Sequence, residues 1–511
     1  MEENLIFTEI EKEKQPMTSG KIVRHVKMKK IITLIICIGF FNLSAQKTNQ
    51  PNIVLIMLDD VSPEMYGCYG LPEAVKTPNV DKLASEGVLF KTCYASAMCG
   101  PSRVEIMTGE YGSSTGATHN GMWLGNSKRE VYKDHQAFGK LLKEAGYATA
   151  IAGKWHAGNS MPYSDEVGFE EYCLWEGLKE IKKLPNAPEF KGLLEDEKTT
   201  SRYWHPGIVQ NHKLLDTKPT DFGPDIFAGF IMDFMERKTK EGKPFLAYWP
   251  SVAPHGTRTG QPTNPLRGEV GSLGGVSGKE NELRFKSLNE YIDVLVGKVI
   301  QKIHDLGIAD NTIIIFTSDN GTAVTAKTRG VERGSHVINI ISGAGIKKRG
   351  ATDELTDFVD IAPTLVAYAG AKLPEGKKFD GISLKPFLTG QTNTTKDWIY
   401  GYISTSQIVR TKNYMLEVVN PFLGMPNGRF YYTGNHRYGK GYEFVNDDPK
   451  HTKEREKFTA FLKNFPAITK EHPFWKTKPG KRFYKSYTTP KAVKKHLYNH
   501  RDYKYYDEGI K

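Results

Sequence analysis

The sequence predicts an α/β fold, on three observations. Short apolar runs rich in β-branched residues recur along the chain. The first, Asn52–Leu58 (NIVLIML), has no polar alternation after its first residue, the mark of a strand buried on both faces of a parallel sheet. Segments of helical character separate the runs, among them 134–145 and Asn289–Ile303.

At 511 residues the chain is long for one core, so a large domain with a smaller one is expected. Five cysteines exclude a disulfide scaffold. The net charge of +12, with much of the excess near the C-terminus, suits a polyanion, and simple solubility is the plain alternative. Nucleic acid and sulfated glycan both qualify as polyanions, but no nucleic-acid motif is present, so no nucleic-acid partner is expected.

Residues 28–45 read as a secretory signal. Met28-Lys29-Lys30 is a basic start, Ile31–Phe41 an apolar core, and Leu43-Ser44-Ala45 a small-residue cleavage site. The apolar core is too short to cross a bilayer, so no stable membrane span is expected. Residues 1–27 are polar and read as an upstream extension, with the true start at Met28. The reading places the mature protein outside the cytoplasm, periplasmic or extracellular; a short membrane anchor is the alternative.

Each buried run ends in residues suited to chemistry. Asn52–Leu58 ends in Asp59-Asp60, two adjacent carboxylates that suit a Ca²⁺ or Mg²⁺ site or, more plainly, a helix N-cap. Tyr147–Ala152 ends in Gly153-Lys154-Trp155-His156. On an extended backbone, Lys154 and His156 point to the same side. Pro244–Trp249 is followed by Ala253-Pro254-His255, where an imidazole suits a general acid. Thr312–Phe316 leads to Asp319-Asn320, two further oxygen ligands. In open α/β sheets, ligands bind at the carboxyl ends of strands.

Cys99-Gly100-Pro101-Ser102-Arg103, followed by Met107-Thr108-Gly109, sets one cysteine in a loop of small and rigid residues. Arg103 can hold an anion, and a helix from Val104 would aim its first amides at the cysteine. A buried structural cysteine is the bland alternative. The stretch resembles the type I sulfatase signature, C-x-P-S-R with [LM]-T-G after it, at every defined position. The resemblance extends over about residues 50–390, through Thr77–Phe90, the Gly153–His156 segment, Pro254-His255, Asp319-Asn320-Gly321, Lys327 and Phe379–Leu384.

The resemblance implies an alkaline-phosphatase-like fold, a large mixed sheet flanked by helices, with a small C-terminal antiparallel sheet and its helix over about 395–511. It implies a sulfuric ester hydrolase. In that family Cys99 is oxidised to formylglycine by a formylglycine-generating or an anaerobic sulfatase-maturating enzyme, and the hydrated aldehyde attacks sulfur. Asp59, Asp60, Asp319 and Asn320 would hold one Ca²⁺ together with residue 99. Lys154 and Lys327 would bind the sulfate, His255 would protonate the leaving oxygen, and His156 and Arg103 would orient the diol. The segment after Lys327 departs from the family's pattern, with Arg333 for a usual Gly and His336 for an Arg, which puts local packing in question.

Export and positive charge together favour a sulfated polysaccharide or oligosaccharide as substrate. Two alternatives stay open: a phosphonate monoester or phosphodiester hydrolase of the same superfamily, and a non-catalytic glycan-binding protein with an unconverted Cys99. Residues 179–219 read as an insertion near the substrate pocket or as a plain loop. Arg258 and Arg267 are candidate substrate contacts. The basic, aromatic tail either binds an acidic polymer or wraps the large domain.

Overall fold

The computed structural model describes residues 50–488, apart from Glu73, Gly125, Asn126, 257–264, 273–278, 322–326, Thr328 and Pro466. The extension at 1–27, the signal at 28–45, Arg258 and the last residues of the tail lie outside the described residues.

Ten described strands make the large sheet. In chain order they are β1 Asn52–Leu58, β2 Val88–Tyr94, β3 Ala148–Gly153, β4 Glu171–Trp175, β5 Ile208–Gln210, β6 Lys213–Leu214, β7 Phe245–Pro250, β8 Thr312–Ser318, β9 Asn339–Gly343 and β10 Gly350–Asp357. Their spatial order is β10-β2-β9-β8-β1-β7-β3-β4-β5-β6. The block β8-β1-β7-β3-β4 is parallel throughout. β9 runs antiparallel to both of its neighbours, and so do β5 and β6 to theirs, which makes the sheet mixed.

Alternation along the strands feeds two separate cores. Ile53, Leu55 and Met57 of β1 face one layer; Val54, Ile56 and Leu58 face the other. The first layer holds helices α2 Cys99–Thr108, α3 Phe138–Glu144 and α6 Ile361–Ala369; the second holds α1 Pro78–Glu86, α4 Gly223–Lys240 and α5 Lys279–Asp305. Every side chain of β1 and β8 is buried, which is why Ile53–Leu58 and Ile313–Phe316 read as unbroken apolar runs. Asp293, on α5, accepts bonds from the Asn79 and Val80 amides at 3.2 and 2.8 Å and so caps α1.

Beyond the large sheet, β11 Trp398–Ile403, β12 Ser406–Thr411, β13 Tyr414–Val419, β14 Arg429–Tyr432 and β15 Glu443–Phe444 form an antiparallel sheet in that order. Helix α7, Thr452–Leu462, packs Phe458 edge-on against Phe430 at 5.3 Å. The described part of the basic tail is helix α8, Lys478–Thr488, whose Phe483 ring lies 4.7 Å from that of His119.

Three expectations need adjusting. The helix read as 134–145 starts only at Phe138, and the one read from Asn289 begins ten residues earlier, at Lys279. Residues 179–219 are not a plain loop, since β5 and β6 join the large sheet as its edge. Their strands are three and two residues long, too short for a periodicity signal.

Gly153 closes β3 at φ +125°, and a Cβ there would meet the Pro250 carbonyl oxygen at 2.0 Å. Gly153→Ala is expected to cost about 1–3 kcal/mol from backbone strain alone. It should also lower turnover, because Lys154 is the next residue and its amide donates to the same carbonyl at 2.7 Å. Urea unfolding beside a kinetic assay checks both.

Candidate active site

Four strands deliver the expected residues because they are neighbours. In the order β8-β1-β7-β3 they run parallel, so their carboxyl ends share one edge, about 4.8 Å apart from strand to strand. Asp319 and Asn320 follow β8, Asp59 and Asp60 follow β1, His255 follows β7, and Lys154 follows β3. Strand β2 points the same way and leads to Cys99.

Cys99 is the first residue of α2, with Met98 as its N-cap, so the cysteine lies within the helix rather than ahead of it. Pro101 fits because a first-turn residue needs no amide bond. The turn is anchored from behind. Ser96 donates through its amide and hydroxyl to Glu105 at 3.0 and 2.8 Å, and Ser102 donates to the Ser96 carbonyl at 2.6 Å.

The thiol sulfur lies 3.4 Å from Nδ1 of His156. Burial alone would raise the Cys99 thiol, but the Lys154 and Lys327 ammonium groups bring it below its ordinary value. Burial, reinforced by Lys154 and Arg103, holds His156 well below its usual range, so its ring is neutral. The backbone between Lys154 and His156 is not extended as expected. Gly153 ends the strand at φ +125°, and His156 adopts φ +50°. Both side chains still reach the site.

Lys154 Nζ donates to Asp59 at 2.6 Å, and Lys327 Nζ donates to Asp60. Burial would raise the Asp59 carboxyl; Lys154, with His255, Arg103 and Lys327, holds it well below the usual range instead. Arg103 is fully buried. Its Nε and Nη2 donate to Asp319 at 3.0 and 2.9 Å, and its Nη1 donates to the Lys154 carbonyl at 2.6 Å. The guanidinium therefore braces the acidic cluster and the start of the Lys154 segment.

His255 Nε2 lies 3.3 Å from Asp60, while its Nδ1 lies 2.6 Å from the Gly256 carbonyl. Burial pushes this imidazole down to about 4 against the opposing pull of Asp60 and Asp59. An anion bound beside it would raise that value, the direction a general acid needs.

The oxygen atoms fit a hard cation. Ligand atoms of Asp59, Cys99 and Asp319 lie within 4.8 Å of one another, as do those of Asp59, Asp60 and His255. The Asn320 amide donates its Nδ2 to Asp60 at 2.7 Å, which leaves its Oδ1 free. That oxygen and Asp59 Oδ1 are buried with no hydrogen-bond partner. Buried acceptors without partners are costly, and a divalent cation would satisfy both.

A family model described as Sulfatase matches residues 51–371, well over half of the chain. The chain belongs to the sulfatase family. N-acetylgalactosamine-6-sulfatase of Canis lupus familiaris is 28% identical over 383 residues, 68% of each chain. N-acetylglucosamine-6-O-sulfatase of Bacteroides thetaiotaomicron is 25% identical over 450 residues, covering 70% of this chain and 74% of that one. Among solved structures, Ps i-CgsB in complex with k-i-k-neocarrahexaose aligns at a TM-score of 0.63 with 22% identity, over 86% of this chain and 100% of that one. The fold is accordingly that of the sulfatases, alkaline-phosphatase-like, and the family is one of sulfuric ester hydrolases.

In this sulfatase Cys99, Lys154, His156, His255 and Lys327 line a cavity of about 560 Å³. Three of its wall residues are not apparent in the sequence. Asn120 accepts from the Gly100 amide at 3.0 Å and points Nδ2 at the Cys99 sulfur, 3.5 Å away. Only its Asn-Gly turn signal could have drawn attention to it. Arg202 is bonded twice to Glu195, at 2.8 and 2.9 Å, and sets Nη1 3.1 Å from His255 Nδ1. Glu176, after β4, is the third. Arg202 sits in the 179–219 stretch that carries no motif, and Glu176 lies just ahead of it.

Arg267 is not among the residues lining the cavity. It pairs with Asp225 at 2.9 Å and lies over the Trp204 ring at 4.9 Å, so the role expected for it passes to packing. The unusual segment after Lys327 packs soundly. Glu332 accepts from Arg410 and from the Tyr94 hydroxyl, and His336 reaches the Lys91 carbonyl at 2.8 Å and stacks on Tyr438.

Proposed function

We propose that this protein is an exported sulfatase that removes sulfate esters from a sulfated glycan, with 6-O-sulfated N-acetylhexosamines as the first substrates to test. The observation that carries the reading is the convergence of Cys99, Lys154, Lys327, His156 and His255 on one cavity floor above an acidic cluster. The relatives named for 6-sulfated N-acetylhexosamines narrow the choice of sugar.

Sulfate transfer needs a nucleophile, charge on the sulfate oxygens and a proton for the leaving oxygen. Converted to formylglycine, residue 99 would supply a geminal diol, with one hydroxyl to attack sulfur and another to expel sulfate. A calcium ion held by Asp59, Asp60, Asp319 and Asn320 beside residue 99 would supply Lewis-acid charge at the sulfate. The ammonium groups of Lys154 and Lys327, each with further N–H donors, neutralise the sulfate oxygens. His156, neutral and 3.4 Å from residue 99, is placed to take a proton there. His255 carries the proton to the leaving oxygen.

The test is release of free sulfate from N-acetylgalactosamine 6-sulfate, N-acetylglucosamine 6-sulfate and an aryl phosphonate by protein made alongside a converting enzyme. Sulfate from either sugar supports the reading; cleavage of the phosphonate alone overturns it. Chelation is a second check. Removing Ca²⁺ should lower the unfolding midpoint, and restoring it at about 100 times its Kd should return about 2.7 kcal/mol. No response to any divalent cation would contradict the metal assignment.

A further inference from the structure

Glu176 differs from the other carboxyl groups around the cavity. Asp59 and Asp60 are bonded to Lys154 and Lys327, and Glu180 is bonded to Lys183 at 2.5 Å. Among the described residues, the Glu176 side chain has neither a hydrogen bond nor an ion pair. Only its backbone is engaged, its amide donating to the Gly207 carbonyl at 2.9 Å and its carbonyl accepting from Thr200 Oγ1 at 2.5 Å. Burial, with Glu180 nearby, pushes the carboxyl up to about 8.

Such a group is out of keeping with its surroundings. The cavity gathers Lys154, Lys327 and Arg202, and it is therefore built to attract anions. A partly buried carboxyl on its wall adds nothing to that attraction and lacks a hydrogen-bond partner of its own. It becomes favourable once a ligand brings a hydroxyl. The neighbouring residue fits a sugar as well. Trp175 lines the same cavity, its indole N–H donates to the Thr200 carbonyl at 3.0 Å, and Arg202 lies over the ring at 4.3 Å, so the ring is held in place. A fixed aromatic ring beside a carboxyl suits the apolar C–H surface and the hydroxyl rim of a pyranose.

We infer that Glu176 is a specificity residue whose carboxyl hydrogen-bonds a hydroxyl of the sugar ring that carries the sulfate, with Trp175 flanking that ring. This rests on the sulfated-glycan reading above. The test is binding rather than turnover, using full-length protein with Cys99 unconverted. Calorimetry compares N-acetylgalactosamine 6-sulfate with 4-nitrophenyl sulfate, which has the sulfate but no hydroxyls. Glu176→Leu should weaken the sugar sulfate by about 10- to 100-fold, the worth of one strong hydrogen bond, and leave the aryl sulfate within about twofold. Glu176→Gln, whose amide oxygen still accepts, should stay within about fivefold of wild type on both. Glu176→Ala gives the same readout if the leucine variant does not fold. Equal losses on the two ligands would assign Glu176 a structural role and overturn the inference. So would undiminished sugar binding, or a wild type that binds the aryl sulfate and not the sugar. Because turnover is not used, a failure of the converted enzyme to release sulfate counts against the sulfatase reading alone.

Discussion

Cys99→Ala is expected to reduce sulfate release by about 10⁴- to 10⁶-fold, the scale seen when a covalent nucleophile is removed. The neighbours of residue 99 explain so large an effect. Lys154 and Lys327 lower the thiol, His156 stands 3.4 Å away and Asn120 3.5 Å away, yet none of these can take over attack on sulfur. The fold should survive, because the side chain removed is small and the loop is held by Ser96, Ser102 and Glu105. An unfolding midpoint near that of the wild type, beside a flat progress curve, is the expected pair of results. Retention of more than about a tenth of the wild-type rate would exclude residue 99 as nucleophile.

Arg103→Met should be the most destabilising single change at the site. The guanidinium bonds Asp319 through two nitrogens and approaches Asp59 at 3.6 Å, with all three side chains buried. Its loss leaves Asp319 buried without its guanidinium partner, beside Asp59, which keeps only Lys154. Breaking a buried pair in this way costs about 3–5 kcal/mol, a large share of the roughly 5–15 kcal/mol that holds a domain together. Arg103→Lys keeps the charge but not the planar fork, so it should fall between the two. Saturating Ca²⁺ should restore part of the loss, since the cation would bridge the same carboxylates. Urea unfolding with and without Ca²⁺ gives the numbers. A loss under about 1 kcal/mol would mean that Arg103 does not brace the cluster.

The parts legible in the sequence are those with a strong local cause. Ile53–Leu58 and Ile313–Phe316 are buried on both faces, so their sequences are apolar without interruption and their ends are easy to find. Residues at those ends, such as Asp59 and Asp319, stand out against the apolar background. Residues such as Arg202, Glu195 and Glu176 do not. Their positions depend on β4 and β5 pairing along the sheet edge, a contact between segments more than thirty residues apart. Nothing in a run of charged residues distinguishes the arginine that will be buried from the lysines that stay in water. Arg103 shows a finer limit. Its place in the motif was plain, but its engagement with Asp319, 216 residues away, needed β2, which leads to it, to lie beside β9, and β9 beside β8.

The most direct measurement compares two preparations of the full chain, one made with a converting enzyme and one without. The mass of the peptide containing residue 99 is read in each, alongside free sulfate released from N-acetylgalactosamine 6-sulfate and N-acetylglucosamine 6-sulfate. The account predicts sulfate release in proportion to the fraction of residue 99 converted to formylglycine, and none from protein that retains the thiol. Equal release by both preparations, or none from fully converted protein on any sulfate ester, would contradict it.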